Sequence, residues 1–358
     1  MRKMGSKKKE QRLIKALKMV APGTELREAL EYIIKAGTGA LIVIGDTTKV
    51  KSLCNGGFEL NCAFRSQLLF ELAKMDGAII LNDDVTRILK ANVHLVPDSK
   101  IPTRETGIRH RTAERVAKQT KSIVIAISQR RDIVSLHIGD TKYALEDIRS
   151  ILTKANQALQ TLERYKSRLN EVSSHLSTLE FEGLVTLLDV VTVLQRSEMV
   201  QRVAKEIERY ISELGTEGRL IEMQLEEMMA GVEEDSLMTI KDYCRERRAE
   251  EVAQALHGLP DEDLLDPIRE CQVLGFEDKA DLLEQPVYPR GFRLLKKIPR
   301  LPATVIDKLV ERFEDLTILV GATLEELDAV EGVGEARAKS IHDGLKRLKE
   351  HSLVERAF

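Results

Sequence analysis

The chain has 358 residues, 43% of them hydrophobic and 32% charged, which is long enough for two or three cores; no apolar run reaches the roughly 20 residues of a bilayer-spanning helix. Lys+Arg of 55 against Asp+Glu of 58 leaves a net charge of -3, so no global field draws the chain to nucleic acid or anionic lipid, and any DNA contact has to be local. The cysteines Cys54, Cys62, Cys244 and Cys271 form no CxxC pair and have no histidine at zinc-ligand spacing, which argues against a metal knuckle or a disulfide framework and for a reducing cytosol.

Met1–Glu10, carrying Lys7, Lys8 and Lys9, reads as a frayed basic tail with no apolar signal segment behind it. Residues 11–145 then alternate amphipathic stretches (Gln11–Val20, Glu25–Ala36, Ser66–Met75) with short apolar runs. The runs Ala40–Ile44, Ala78–Leu81, Val93–Val96, Ile123–Ile127 and Ile133–Ile138 are rich in β-branched residues and predict buried strands. A short polar linker between Ile127 and Ile133 suits a hairpin, so the expected domain over 1–145 is α/β with a mixed sheet. His94 and His137 fall in these strands and read as packed or surface imidazoles, not metal ligands.

Two motifs in this region carry chemistry. Met75-Asp76-Gly77-Ala78 joins a helix to a strand; an Asp-Gly pair there is ordinarily a turn, but it also sets a carboxylate at the sheet edge, suited to Mg²⁺ or Mn²⁺ beside phosphates. Thr106-Gly107-Ile108-Arg109-His110-Arg111-Thr112 precedes the helix Ala113–Gln119. Cations at a helix N-terminus cost roughly 0.3–1 kcal/mol each, and an anion between them, such as a triphosphate, reverses that sign. Thr112 is placed to cap the helix or to donate to phosphate. The plain alternative is a solvated basic turn. GxxxxGK[ST], GxGxxG after a strand and GxSxG are all absent, which argues against a P-loop NTPase, a dinucleotide fold and a serine hydrolase.

From Leu145 the texture changes. Leu145, Ile148, Ile151, Leu152, Ala155, Leu159 and Leu162 fall at helical spacing, with no glycine or proline until Gly183. Val185–Leu214 and Leu220–Cys244 continue an all-helical region over 146–286 that ends at Pro286 and Pro289 and reads as a spacer or assembly element. The last segment, 287–358, holds two helix-turn-helix units, Phe292–Phe313 and Thr323–Leu348. In the second, Glu325–Val330 is a helix, Gly332-Val333-Gly334 a turn and Glu335–Leu348 another helix, the layout of a helix-hairpin-helix whose backbone N–H groups approach a DNA phosphate without reading sequence. Arg337 lies just behind the turn. Pro299 and Pro302 stand where the first unit would have glycines, so that unit should pack on the second and contact few phosphates. Basic clusters at Arg290, Arg293, Lys296, Lys297 and Arg300, and at Lys346, Arg347 and Lys349, stand ready to flank a backbone.

Asp76-Gly77-Ala78 and Arg109-His110-Arg111, in a chain running from an α/β domain through a helical spine to tandem helix-hairpin-helix units, resemble the signatures of the diadenylate cyclases, in particular the bacterial members that scan DNA integrity, over nearly the whole chain. The resemblance implies condensation of two ATP into cyclic di-AMP with release of two pyrophosphates, in an octamer of paired cyclase domains, cytoplasmic and nucleoid-associated. It implies that Asp76 holds Mg²⁺ or Mn²⁺, and that Arg109, His110, Arg111 and Thr112 grip the triphosphate. Gly77, Ala78, Leu95 and Ile108 would contact the nucleotide, with Ser128 a further phosphate donor. Gly332, Val333, Gly334 and Arg337 would contact DNA, branched or damaged, and regulate synthesis. A non-enzymatic nucleotide-sensing DNA scaffold and a DNA repair enzyme are the rival readings.

Overall fold

The computed structural model describes residues 2–129, 133–245, 247–277 and 279–355. Contacts divide the chain into two compact units, the first running to Asn156 and including Ile207–Met223, the second comprising Gln157–Glu206 and the residues from Gln224 onward.

The first unit is an α/β sandwich. Its elements are α1 (Arg2–Met19), α2 (Glu25–Lys35), β1 (Ala40–Ile44), α3 (Thr48–Lys51), β2 (Cys54–Asn55), β3 (Phe58–Ala63), α4 (Ser66–Ala73), β4 (Ala78–Leu81), β5 (Arg87–Leu95), α5 (Ile108–Thr120), β6 (Ile123–Ile127), β7 (Val134–Ile138) and β8 (Thr141–Ala144). From Arg2 the basic tail is the start of α1 and not frayed coil: its Lys, Arg and Glu residues are good helix formers and extend the turns of Gln11–Met19. The strands lie in the order β2-β5-β4-β1-β6-β7-β8, with β3 also on β5. β1 and β4 are parallel and the other pairs antiparallel, so the sheet is mixed, as expected. Residues 130–132 of the polar linker lie outside the described residues; beyond them Ile127 pairs with Val134 in hairpin register.

Alternation along the central strands feeds two cores. Ile42, Ile79, Leu81, Ile125 and Leu136 face α1, α2 and α4, while Val43, Ile80, Val124 and Ala126 face α3 and α5. Each fully buried Ile or Leu contributes roughly 1.5–3 kcal/mol. Alternation along β5 is interrupted midway: Ile88 and Ala91, three residues apart, both belong to the first core, while Val93 and Leu95 belong to the second. Asn92, at φ 54, absorbs the switch, and the β4–β5 register shifts beside it. That broken alternation hid the first half of β5, so the strand expected from Val93 in fact starts at Arg87. The polar β3 and β8 carry no apolar run and were not anticipated.

The second unit is helical. α6 (Ile148–Glu182) and α7 (Leu187–Leu214) each pass from one unit's residues into the other's, as does α8 (Arg219–Met229). The expected single helix over Leu220–Cys244 is two, because Gly231 takes φ 77 and separates α8 from α9 (Val232–Tyr243). α10 (Ala249–His257), α11 (Asp261–Leu264) and α12 (Pro267–Val273) follow, then α13 (Phe292–Lys296), α14 (Ala303–Phe313), α15 (Leu316–Gly321), α16 (Leu324–Asp328) and α17 (Glu335–Glu355).

α13–α17 share one core, in which Ile298, Val305 and Leu309 meet Val330, Val333 and Ile341. The two hairpins therefore pack together as expected. Their turns also match in conformation: Arg300 adopts φ 63 where the second turn has Gly332 at φ 87. Residues 287–355 have this core of their own and fall in the same compact unit as the helices before them. Asp242 accepts the N–H groups of Gly291, Phe292 and Arg293 at 2.7–3.0 Å, satisfying the start of α13. Arg293 is buried and hydrogen-bonds Ser177 and Glu180, and Tyr243 donates to Glu180 at 2.7 Å. Arg293 is thus withdrawn from the basic cluster that its sequence position suggests, and Lys296 is paired with Glu234.

Two measurements check this unit. Arg293→Ala strands Glu180 in the interior and should cost about 3–5 kcal/mol in urea unfolding, whereas Arg168→Ala, at an exposed pair with Glu171, should leave the midpoint unchanged. Glu270 is fully buried, and burial, reinforced by Glu198 and only partly offset by Gln195, raises its pKa to about 8. A carboxyl raised above its unfolded value favours the fold at low pH and loses that contribution as pH climbs through 8. The melting temperature should fall between pH 6 and 9 in the parent and stay flatter in Glu270→Gln.

Candidate active site

An open cleft of about 800 Å³ lies where the N-terminal ends of β1 and β4 meet the C-terminal ends of the antiparallel β5 and β6. Asp76, Gly77, Ala78, Leu95, Ile108, Arg109, His110, Thr112 and Ser128 all line it. Segments far apart in sequence converge because the sheet sets their ends side by side.

Gly77 is a steric necessity. A Cβ there would sit 2.5 Å from the backbone of Asn92, so only glycine lets the chain enter β4 beside β5. Asp76, one residue earlier, is fully exposed at the cleft, and its Oδ1 lies 3.6 Å from Arg109 Nη2. Gly39 plays the matching part for the arginine: a Cβ at that position would fall 2.0 Å from Arg109 Nη1. The guanidinium occupies space that a missing side chain leaves.

α5 begins at Gly107, its N-cap, with no side-chain cap and no acidic residue in the first turn. Arg111 N donates to Gly107 O, so the amides of Ile108 and Arg109 open the helix without intrahelical acceptors, beside the side chains of Arg109 and His110. Thr112 lines the cleft but does not cap the helix. The loop before α5 is pinned by the helix's later turns: Glu114 accepts from Thr103 Oγ1 at 2.5 Å and Arg104 N at 3.2 Å, Arg115 donates to Ser99 O and Ile101 O, and Lys118 donates to Pro102 O. Burial works against the Glu114 carboxylate, but Lys118, Thr103 and the Arg104 amide outweigh it and hold its pKa at about 2. A depressed carboxylate contributes fully above pH 4.5 and fails only as pH falls through 2, so the loop stays pinned over the working range.

Arg111 departs from expectation. It is exposed and does not line this cleft, because successive residues of a helix point about 100° apart and Arg109 and Thr112 take the inward positions. Glu105 and Lys142, paired at 2.6 Å, line the cleft together with Ser135, Gln129 and His94. None of these was singled out as a site residue, since each comes from a segment with no motif; Gly39 likewise carried no signal. All four cysteines are free thiols, and no group of three or more His, Cys, Asp or Glu side chains that could hold a metal exists among the described residues.

In the second unit, Gly332 has the left-handed φ the hairpin turn requires, and Arg337 Nη1 donates to its carbonyl at 2.6 Å. Val333 is a core residue, 4% exposed, and its N–H is spent on Val330 O. It builds the turn and offers DNA neither side chain nor amide.

Residues 27–141 match the family model described as DisA bacterial checkpoint controller nucleotide-binding, and residues 145–283 match that of the DisA bacterial checkpoint controller linker region. The α/β unit is thus a nucleotide-binding domain of the diadenylate cyclase class. The DNA integrity scanning protein DisA of Carboxydothermus hydrogenoformans is 54% identical over 96% of this chain and 99% of its own length, and that of Acetivibrio thermocellus 51% identical over 98% of each. A solved structure of DacA from Staphylococcus aureus is 23% identical, covering 39% of this chain and 90% of that one with a TM-score of 0.29. The chain belongs to the DisA family.

Gly39→Ala tests the seat of Arg109. The nearest obstructing atoms are the tip of a flexible side chain, with the Ile127 carbonyl 3.1 Å away, so the fold should hold most of its melting temperature while affinity for a non-hydrolysable ATP analogue, read by calorimetry, falls about tenfold.

Proposed function

We propose that the cleft joins two ATP molecules into cyclic di-AMP and that the C-terminal hairpins bind DNA and adjust the rate. The observation that carries this reading is the uncapped start of α5, with Arg109 facing Asp76 across a cleft large enough for a nucleotide. A triphosphate entering there finds the N-terminal end of α5, the Arg109 fork, the His110 ring and the Thr112 and Ser128 hydroxyls.

In the reaction, the 3′-oxygen of each ATP attacks the α-phosphorus of the other, the bond to the pyrophosphate oxygen breaks in line, and each 3′-OH loses its proton. Two P–O bonds form, two break, and two pyrophosphates leave. One cleft holds one ATP, so two domains must face each other. Met75, Val96, Ile108 and Ile133, all exposed, at or next to the cleft, give it an apolar rim suited to such pairing, and the long helices suit an assembly spine up to an octamer. Asp76 fits a divalent ion that arrives with the triphosphate: Mg²⁺ commonly takes one or two carboxylates and completes its shell with phosphate and water. Bound there, Mg²⁺ or Mn²⁺ would supply Lewis-acid stabilisation and ease ionisation of the 3′-OH. Arg109, freed from Asp76, turns its charge to the phosphates. Arg111, outside the cleft of its own domain, is left for the facing one.

At the other end, the turn at Gly332 and Gly334 presents the amides opening α17 to a backbone phosphate, with Arg337 bracing the turn. Contacts of this kind read no base sequence and suit recognition of branched or damaged DNA by shape.

Mass spectrometry of products from ATP with Mg²⁺ or Mn²⁺ tests the chemistry: cyclic di-AMP should accumulate with the parent and be lost in Asp76→Asn. ATP left intact by the parent while DNA binding persists would support a nucleotide-sensing scaffold instead. For the DNA end, Gly332→Val should weaken binding to a four-way junction, measured by anisotropy, and abolish the junction's effect on turnover while basal turnover stays at the parent level.

A further inference from the structure

β7 puts Ser135 and His137 on the same face of the sheet, since side chains two residues apart on a strand share a face. Ser135 lines the cleft, while His137, 1% exposed, lies on the face covered by α5. The rings of His137 and His110 stand 6.3 Å apart, centre to centre, tilted by 59°. His137 pairs in register with Val124 on one side and with Lys142, a cleft residue, on the other.

As core packing this histidine makes little sense. Among the described residues its buried Nε2 has no hydrogen-bond partner, which costs on the order of 1–3 kcal/mol that a leucine or phenylalanine would avoid. The charged and titratable groups around it are Glu105 and Glu114, which pull its pKa up, and His110 and Lys142, which push it down. Burial exceeds them all and takes the pKa to about 4, so the ring is neutral wherever the enzyme works. A neutral aromatic wall supports an imidazole that meets phosphate without adding charge to it.

We infer that His137 is a positioning residue that seats the His110 ring at the cleft wall for contact with the nucleotide phosphates. The inference rests on the reading of His110 as a phosphate-gripping side chain. A role through His110 differs from ordinary core packing in one measurable respect: its effect disappears when His110 is gone.

The test is a double-mutant cycle over the parent, His137→Phe, His110→Ala and the double variant. It is read both as kcat/KM for cyclic di-AMP formation and as affinity for a non-hydrolysable ATP analogue. His137→Phe should lower analogue affinity about tenfold in the parent and less than about twofold beside His110→Ala, with the melting temperature maintained. Equal losses in the two backgrounds, or no loss in either, would overturn the inference. His137→Gln, which keeps a polar tip, carries the same cycle should the phenylalanine variant not fold. The affinity arm does not depend on turnover, so a parent that binds the analogue but forms no cyclic product would count against the cyclase reading alone.

Discussion

The close passage of Gly77 over Asn92 is the constraint on which the cleft depends. Two backbones meet there with no room for a Cβ, so β4 enters the sheet beside the residue where β5 leaves regular alternation. Because Asn92 takes a left-handed conformation, β5 carries Ala91 to one core and Val93, two residues on, to the other. One contact thereby aims Asp76 outward at the mouth and Leu95 at the cleft lining.

Electrostatics then define what the cleft accepts. A helix start without a side-chain cap, flanked by Arg109 and His110, is a poor arrangement for a protein in isolation and a good one for a polyanion. Its cost is borne by geometry elsewhere. Glu114, Arg115 and Lys118 hold the preceding loop, Gly39 leaves space for the guanidinium, and Asp76 partners Arg109 without burying it. Glu105 and Lys142 form a second ion pair in the lining, so charged groups of both signs face the same volume.

In the helical unit, by contrast, charge is used for cohesion. Glu180, Arg293 and Tyr243 satisfy one another away from solvent, and Asp242 caps the start of α13 through three amides. Such a network is weak evidence for net stability, since an apolar replacement of similar volume often does as well, but it tolerates the loss of no single member. It joins the helices that precede the two prolines to the hairpins that follow them.

The apolar runs by themselves determined the central strands, the mixed sheet, the long helices and the paired hairpins, because periodicity reports directly which face of an element must leave water. The two signature motifs were likewise legible, since Asp-Gly-Ala and Arg-His-Arg at element ends are local patterns, and the fold brings Asp76, Arg109 and His110 to one cleft. β3, β8 and half of β5 stayed hidden: the first two are polar, and the third breaks its alternation at Asn92. Tertiary structure alone decided that Arg293 is an interior partner and not a DNA contact, that Val333 belongs to the core, that Arg111 turns away from its own cleft, and that Gly39, Glu105, Lys142 and His137 gather around His110 and Arg109. Those residues lie on four separate segments, and only the order of strands in the sheet, a long-range property with no local signature, brings them together.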